Sequence, residues 1–437
     1  MIGDDPRSFA IGVIRKLQEA GFEALFAGGC VRDQLMGREP KDYDVATSAT
    51  PEQVREVFGR RKTIAIGAAF GVITVIGSQQ SGNVEIATFR ADGDYSDGRH
   101  PDSVVYTSAE NDARRRDFTI NGLFFDPIAD AVLDYVGGEQ DIQRCEIRAI
   151  GEPAERFGED KLRMLRAVRF ATTLGFRIEP QTWNAVHELA SEIQCVSGER
   201  IAAEMMRVLQ SEQRSVGLGL LWESGLYRVV LPEMAAASDE DRQAILQSLE
   251  QVELGHWSPE ISLAAMLWFA SDGVWRRQWA AGDMLRADQR HVWRTEIEQL
   301  AGRWKLSRQA QAIVMACLKD IPIVNNAQEL PWSQVQPCLS DRWAGAVVSF
   351  ARLLARCGEA TDRCVTFCSS WLNRSAEELN PPPLLDGKLL LALGVRSGPL
   401  TGKWLRKIRE MQLDGELSTH QQAVDYVRQY VERPPES

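Results

Sequence analysis

The stretch LFAGGCVRDQLMGREPKDYDVATS, residues 25–48, decides the fold of this chain. A short apolar strand over residues 24–27 runs into a glycine pair at residues 28–29, which opens a helix. A second strand is predicted over residues 43–46, with an acidic residue on each side of its tyrosine. A strand, a glycine turn, a helix and another strand in so few residues are typical of a mixed α/β unit.

The two aspartates of that stretch, Asp42 and Asp44, are its sharpest chemical feature. On a strand, residues two positions apart point to the same face, so the two carboxylates would lie side by side. Their charges repel unless cations bridge them, and hard carboxylate oxygens suit Mg²⁺. An isolated pair of this kind is more often a solvated turn, so the assignment depends on its surroundings.

The glycine turn ahead of the aspartates is a candidate anion site. Free amide groups and the dipole at a helix N-terminus attract negative charge, and Arg32 adds a fixed cation. A phosphate site next to a two-carboxylate metal site indicates phosphoryl or nucleotidyl transfer. The alternative is a plain strand–turn–helix in which glycine serves only tight packing.

A first arginine-rich segment, RRRDFTIN, spans residues 114–121. A basic run is usually a solvated face, and that remains the alternative here. The run changes at once to Phe118, Ile120 and Leu123, which ties its charges to buried structure.

A second arginine-rich segment, EDKLRMLRAVRF, lies in a helix predicted from residue 159 to residue 174. Each three-residue step along a helix turns about 300°, so Asp160 and Arg163 are neighbours on one face. Arg166 and Arg169 drift around the axis, so we expect them to serve phosphate or to support the fold. A surface ion pair is the alternative for the first two residues.

Composition narrows the class of protein. The chain has 437 residues, 44% of them hydrophobic and 25% charged, which excludes disorder of the whole chain. The formal net charge of −11 excludes a uniformly basic surface, so a polyanion must bind at local basic patches. We see no signal peptide, no membrane-length apolar run and no CxxC pair, and therefore expect a cytoplasmic protein without membrane contact.

Together, the motifs GGCVRD, DYDVAT, RRRDFTIN and EDKLRMLRAVRF resemble, in order and spacing, those of class II tRNA nucleotidyltransferases and bacterial poly(A) polymerases of the polymerase-β superfamily. The match covers about residues 20–210. The resemblance implies an α+β fold whose small polymerase-β-like head, a mixed sheet with helices, precedes an elongated all-α remainder. The implied domains are the head (1–150), a neck with the base-reading helix (151–210), a body (211–380) and an RNA-binding tail (381–437).

The resemblance also implies site residues. Asp42 and Asp44 resemble the catalytic magnesium ligands, and Glu85 resembles the third catalytic carboxylate of the superfamily. The implied nucleotide-binding residues are Gly28, Gly29, Arg32, Arg116, Asp117, Asp160, Arg163, Arg166 and Arg169. Within that set, Gly29 and Arg32 resemble triphosphate contacts. Arg116 and Asp117 match the segment that recognises the sugar 2′-OH, and Asp160 and Arg163 match the pair that reads the base.

The chemistry of the bases supports that last assignment. A carboxylate accepts from an exocyclic amine, and a guanidinium donates to ring nitrogen or carbonyl acceptors. Cytosine and adenine present an amine beside such an acceptor, whereas uracil and guanine present a carbonyl there. A carbonyl facing Asp160 would leave a buried acceptor unpaired, so one pair of side chains can accept CTP and ATP and refuse UTP and GTP.

The segment from Arg90 to Pro101 helps to choose among members of the family. It resembles the flexible loop of CCA- and A-adding members, which CC-adding members lack, with Arg90, Asp94, Asp97 and Arg99 as its polar residues. The non-basic C-terminus disfavours poly(A) synthesis, so we predict template-independent CCA addition to the tRNA 3′ end from CTP and ATP. The implied reaction is a two-metal attack of the 3′-OH on the α-phosphate with release of pyrophosphate, by a monomer. A-adding activity and poly(A) polymerase activity are the alternatives.

Overall fold

The computed structural model describes residues 5–68, 71–92, 104–235, 237–250, 257–270 and 291–432. Its contacts divide the chain into two compact units, Met1–Val230 and Leu231–Ser437. All strands of the described residues belong to the first unit, and the second unit is helical. The predicted α+β class is confirmed, whereas the division into head, neck, body and tail remains a prediction.

The first unit combines short strands with helices. Its described strands are β1 (Ala24–Ala27), β2 (Val45–Thr47), β3 (Thr63–Ile64), β4 (Val72–Ile76), β5 (Asn83–Thr88), β6 (Arg90–Asp92), β7 (Val104–Tyr106), β8 (Leu123–Asp126), β9 (Ala131–Asp134), β10 (Glu146–Ile147) and β11 (Arg177–Ile178). Its described helices are α1 (Pro6–Glu19), α2 (Gly29–Leu35), α3 (Pro51–Phe58), α4 (Ala109–Arg114), α5 (Gly138–Arg144), α6 (Pro153–Glu159), α7 (Leu162–Leu174), α8 (Pro180–Leu189), α9 (Gly198–Gln210), α10 (Arg214–Ser224) and α11 (Tyr227–Val230).

Seven of these strands form one mixed sheet in the order β3-β4-β5-β2-β1-β8-β9. β2 and β5 run parallel, and the other neighbouring pairs are antiparallel. The register of the parallel pair sets Val45 beside Ile86 and Ala46 beside Ala87. Strands β6 and β7 form a separate antiparallel hairpin, and β10 pairs with β11.

The sheet buries both of its faces. Against one face, α1 packs its apolar side, and the shared core includes Val13, Leu17, Phe26, Val45 and Ile86. On the other face, α4 packs over a second cluster that includes Leu25, Ala27, Ala46, Ala113 and Phe124. Because side chains alternate along an extended chain, the aspartates two and four residues before Ala46 belong to this second face.

Strand β2 begins at Val45, two residues later than predicted, so the aspartate pair precedes the strand. The amide of Ala27 donates to the carbonyl of Asp44 at 3.0 Å. The next residue, Gly28, turns away with φ of +71°, so β1 offers no partner to the residues before Asp44. The backbone turn that begins the glycine motif therefore also limits the strand that carries the acidic pair.

The single helix predicted over residues 159–174 is wrong, because two helices meet there. Asp160 ends α6 with an extended backbone (φ −143°, ψ 104°), and α7 begins at Leu162. The Asp160 Oδ1 atom accepts from the amide of Leu162, the first residue of α7, at 3.1 Å. Short polar side chains compete with helical hydrogen bonds in this way, which periodicity alone does not reveal.

The second unit is built from helices. Those described are α12 (Asp239–Glu250), α13 (Pro259–Ala270), α14 (His291–Trp304), α15 (Arg308–Asn325), α16 (Trp332–Leu339), α17 (Ala344–Arg356), α18 (Asp362–Leu372), α19 (Ala376–Leu379), α20 (Gly387–Ala392), α21 (Pro399–Leu413) and α22 (His420–Glu432). The last three helices enclose a hydrophobic cluster of their own, which includes Leu390, Ile408 and Val427. Among the described residues, no helix is both long and apolar enough to cross a bilayer.

Candidate active site

A cavity of about 660 Å³ collects most of the predicted site residues within the first unit. The predicted residues that line it are Gly28, Gly29, Arg32, Asp44, Glu85, Arg116, Asp117, Asp160, Arg163, Arg166 and Arg169. These residues come from the sheet, from the RRRDFTIN segment and from α7. Segments that are far apart in the sequence therefore form one surface.

The cavity is strongly basic in a chain that is acidic as a whole. Its lining carries eight arginines against four carboxylates, while the full chain has a net charge of −11. A concave surface with one dominant sign of charge concentrates ligands of the opposite sign. The electrostatics of the cavity therefore suit an anionic ligand with several charges, such as a triphosphate.

Asp44 lies on the cavity wall and stays accessible to solvent. Partial desolvation at the cavity wall raises the pKa of Asp44, and the negative charges of Glu85 and Asp42 raise it further. The positive charge of Arg116 opposes this rise. The strand register explains why Glu85 repels Asp44, since extending the β2–β5 pairing by one residue places the two residues side by side. Asp42 is exposed and close enough to repel Asp44, although it is not among the lining residues.

This acidic set fits a divalent cation only in part. Among the described residues, no group of three or more acidic, histidine or cysteine side chains is arranged as a complete metal-binding site. Magnesium sites in proteins are commonly completed by substrate phosphates and water beside one or two carboxylates. The mutual repulsion of Asp42, Asp44 and Glu85 is the feature that a cation would relieve.

The glycine turn makes room for an arginine. Gly28 has φ of +71°, and a Cβ atom there would lie 2.8 Å from Nη1 of Arg116. Glycine is required at this position both for the backbone and for the guanidinium that packs on it. Helix α2, which the turn opens, is only seven residues long, so arginines rather than a helix dipole dominate the charge here.

Arg32 lines the same part of the cavity and is held on two sides. Its Nη1 donates to Oδ1 of Asn121 at 2.8 Å, and its Nη2 forms an ion pair with Asp33 at 2.7 Å. The helix that begins at the glycine turn is thereby tied to the RRRDFTIN segment.

Asp117 is nearly buried and fixes Arg166. Burial opposes its ionisation, but the charge of Arg166 and hydrogen bonds from Asn121, Arg166 and the Phe118 amide outweigh it and lower the pKa to about 2. The carboxylate accepts from Nε and Nη2 of Arg166 at 2.8 and 2.6 Å. Asp117 is therefore an ionised anchor that joins the head segment to α7.

Asp160 and Arg163 both line the cavity, but each is paired with another residue. Asp160 Oδ2 accepts from Arg200 at 2.6 Å, and Arg163 Nη1 donates to Glu159 at 2.6 Å. Arg163 also donates to the carbonyl of Arg115 at 3.3 Å, at the end of α4. The helical face predicted for the two residues does not exist, yet the cavity brings them together.

Arg166 and Arg169 line the cavity as well, so the predicted drift around the helix axis does not separate them from Arg163. Both pair with Glu204 of α9, at 3.5 and 2.7 Å. Their guanidinium groups and that of Arg32 also lie near the ring of Phe170, which packs among these cations.

Sequence reasoning missed several lining residues: Arg115, Asn121, Phe170, Arg200 and Arg207. On α9, Arg200, Glu204 and Arg207 follow a spacing of i, i+4 and i+7, which marks one helical face. That pattern of charged residues on an amphipathic helix could have indicated, from the sequence alone, that this face of α9 contributes to a charged site.

The predicted flexible loop is described only at its start. Arg90 begins β6, and its amide donates to Oδ1 of Asp112 at 3.2 Å. The other predicted loop residues, Asp94, Asp97 and Arg99, lie outside the described residues.

Comparisons with known proteins identify relatives of this chain. Residues 24–148 match the family described as "Poly A polymerase head domain", and residues 175–238 match "Probable RNA and SrmB- binding site of polymerase A". The CCA-adding enzyme of Streptococcus suis is 31% identical over 420 residues, covering 95% of this chain and 94% of the relative.

Two further matches concern one more sequence relative and one solved structure. The CCA-adding enzyme of Geobacillus stearothermophilus is 41% identical over 240 residues, which cover 55% of this chain and 58% of the relative. A crystal structure of the Bacillus stearothermophilus CCA-adding enzyme in complex with CTP superposes with a TM-score of 0.75, at 27% identity over 98% of both chains. The similarity extends over both compact units.

Proposed function

Because the chain belongs to the family of CCA-adding enzymes, which are tRNA nucleotidyltransferases, we propose that it adds C, C and A to the 3′ end of tRNA from CTP and ATP. The observation that carries this proposal is one cavity lined both by eight arginines and by the carboxylates of Asp44 and Glu85. It combines a charge suited to a triphosphate with an acidic set suited to divalent metal.

Asp42 and Asp44 would hold Mg²⁺, with Glu85 as a third carboxylate beside them. When bound, the metal ions would supply activation of the RNA 3′-OH and charge stabilisation of the departing pyrophosphate. The raised pKa of Asp44 supports this assignment, because desolvation and the charges of Glu85 and Asp42 disfavour its ionised carboxylate when no cation is bound. Among the described residues that line the cavity there is no histidine, so these residues supply position and charge.

The triphosphate would lie against the glycine turn and Arg32. Gly28 and Gly29 bring backbone close to the ligand, and Arg32 is already fixed by Asp33 and Asn121. Guanidinium groups held in place lose little freedom on binding, so their attraction for phosphate is retained. Arg166 and Arg169 would add further positive charge from α7.

Asp160 and Arg163 would read the base. Their neighbours support that role, since Arg200 holds one oxygen of Asp160 and Glu159 holds one arm of Arg163. A carboxylate oxygen retains a second lone pair after one hydrogen bond, and a guanidinium retains further donors. The side chains would thus be aligned in advance for an amine and an adjacent ring acceptor.

RNA binding would involve the helical remainder, with a neck over residues 151–210, a body over 211–380 and a tail over 381–437. On α21, Lys403, Arg406 and Lys407 share one helical face and are exposed. Such a row of cations suits phosphates of an RNA backbone. From family membership, we also propose that the protein is a monomeric enzyme of the cytoplasm.

Extension of defined tRNA transcripts tests the proposal. Transcripts ending before the CCA sequence, after its first C and after its second C would be incubated with CTP, ATP and Mg²⁺. We expect each transcript to be completed to CCA and to stop there. No extension of any transcript would refute the proposal, addition of A alone would assign A-adding activity, and long A tails would assign poly(A) polymerase activity.

A further inference from the structure

Asp112 is a buried carboxylate that no step of the proposed reaction uses. It is 2% exposed and sits on α4, outside the cavity lining. Its Oδ1 accepts from Nε of Arg115 at 2.8 Å and from the amide of Arg90 at 3.2 Å. Its Oδ2 accepts from Nε and Nη2 of Arg116 at 3.2 and 3.0 Å. One side chain thus joins two cavity arginines to the first residue of the β6–β7 hairpin.

Arg116 lines the cavity, and its guanidinium is held from three directions. Asp112 takes Nε and one Nη2 hydrogen, and Nη1 donates to the carbonyl of Asn121 at 3.1 Å. The ring of Phe124 lies 4.9 Å from the guanidinium carbon. A guanidinium has five N–H groups, so these contacts leave two donors for a ligand in the cavity.

The charge of Asp112 is maintained in this environment. Burial opposes ionisation, but Arg116 and Arg115 together lower the pKa of the carboxyl. An ionised carboxylate can serve both arginines because each oxygen accepts without donating. An asparagine cannot do so, because its amide nitrogen would face one of the two guanidinium groups.

We infer that Asp112 is a positioning residue for recognition of the nucleotide sugar, acting through Arg116. The inference rests on the proposed function, in which Arg116 contacts the 2′-OH of the incoming nucleotide. Asp112 fixes the plane of the Arg116 guanidinium at the cavity wall, so its two remaining donors would be held in place for that hydroxyl. The same carboxylate anchors the base of the β6–β7 hairpin through the Arg90 amide.

The test compares CTP with 2′-deoxy-CTP. Asp112→Asn keeps the size of the side chain and removes one of its acceptors. We expect the ratio of kcat/KM for CTP to that for dCTP to fall by at least about tenfold, mostly through a higher KM for CTP. Asp112→Glu retains the charge and shifts the carboxylate by one methylene, so it should fold readily and show an intermediate ratio.

Asp141→Asn is the matched control. Asp141 is 3% exposed, belongs to the same unit, and accepts from Thr119 at 2.7 Å and Arg148 at 3.1 Å without lining the cavity. Its substitution should lower the melting temperature much as Asp112→Asn does, while the ratio of CTP to dCTP stays at the parent value.

An unchanged ratio in Asp112→Asn, or an equal loss in both aspartate variants, would overturn the inference. Loss of discrimination in Arg116→Lys alone would retain Arg116 as the sugar contact and reject Asp112 as its positioning residue. The rise in melting temperature caused by CTP and by dCTP provides a readout without catalysis. This rise in melting temperature remains measurable even if no tRNA is extended, so failure of this inference can be told apart from failure of the proposed function.

Discussion

At the scale of single residues, the site works through groups whose charges are set by their neighbours. Asp117 is held ionised by Arg166 and by hydrogen bonds from two further neighbours, Asn121 and the Phe118 amide, while ionised Asp44 is disfavoured by desolvation and by other carboxylates. The first is satisfied within the chain and serves as an anchor. For the second, desolvation and repulsion outweigh the opposing charge of Arg116, so a bound cation would relieve it.

Protonation of Asp44 should control binding of Mg²⁺. Its pKa in the folded chain lies above the ordinary value, so protons compete with the metal as the pH falls toward that raised pKa. We expect Mg²⁺ to raise the melting temperature more at pH 8 than at pH 5. Asp44→Asn should melt higher than the parent without metal, because repulsion is removed, and should show little response to Mg²⁺ at either pH.

An equal response of the parent and Asp44→Asn to Mg²⁺ would contradict that role. Asp126→Asn is a suitable control, because Asp126 ends β8 and does not line the cavity. Its response to Mg²⁺ should match that of the parent at both pH values.

Asp160 should decide which bases are refused. Replacement by alanine removes the acceptor that repels the uracil carbonyl, so discrimination between CTP and UTP should fall by about 10- to 100-fold. The measurement is kcat/KM for each nucleotide on a transcript that lacks CCA. If Asp160→Ala still rejects UTP as strongly as the parent, the base-reading assignment is lost.

At the scale of elements, the pairing of α7 with α9 organises the arginines. Glu204 is 5% exposed and accepts from Nε of Arg169 at 2.7 Å, with Arg166 at 3.5 Å. A buried carboxylate between two guanidinium groups keeps like charges close together. Without it, both arginines would lose a partner in a poorly solvated place.

Glu204→Gln should therefore destabilise the fold by about 2–4 kcal/mol and weaken CTP binding. Glu199→Gln on the same helix should change stability by less than about 0.5 kcal/mol, because Glu199 is exposed. Urea unfolding measures the first effect, and the rise in melting temperature with CTP measures the second. Equal stability of the two variants would show that Glu204 does not hold the arginines.

A short apolar run that ends at a glycine pair was enough to predict β1, which has the bounds expected for it, residues 24–27. The break at Asp160 and the late start of β2 were not predictable, since each depends on a local hydrogen bond or a neighbouring turn.

Residues of the site were predictable where they belong to a contiguous motif. They were not predictable where the fold brings together residues from different segments. Residues of GGCVRD and RRRDFTIN line the cavity as expected. Arg200 and Arg207 come from another helix, and Asp112 acts behind the lining, so their roles depend on contacts that one sequence does not display.

At the scale of the whole molecule, the proposed function requires an acidic chain to bind two polyanions, RNA and a nucleoside triphosphate. For the nucleotide, the cavity provides a concave surface that is lined by eight arginines. For RNA, we propose the exposed basic face of α21, formed by Lys403, Arg406 and Lys407, as a binding surface. Separate basic sites allow tRNA and nucleotide binding to be weakened independently.

Removal of charge from that face should show this independence. The combined change Lys403→Ala, Arg406→Ala and Lys407→Ala should weaken tRNA binding by about tenfold or more and reduce its dependence on salt. Filter binding at two salt concentrations measures the effect. The CTP-induced rise in melting temperature should not change, and parent-like tRNA affinity would exclude this face as an RNA site.

The most direct test of the central claim is transfer of CMP to a tRNA transcript by Asp42→Ala and Asp44→Ala, with Asp126→Ala as a control of equal chemistry outside the cavity. We predict that each of the first two variants folds, as judged by its melting temperature, and loses at least about a thousandfold in transfer rate. The control should stay close to the parent rate. Near-normal transfer by a folded Asp42→Ala or Asp44→Ala enzyme would contradict the account.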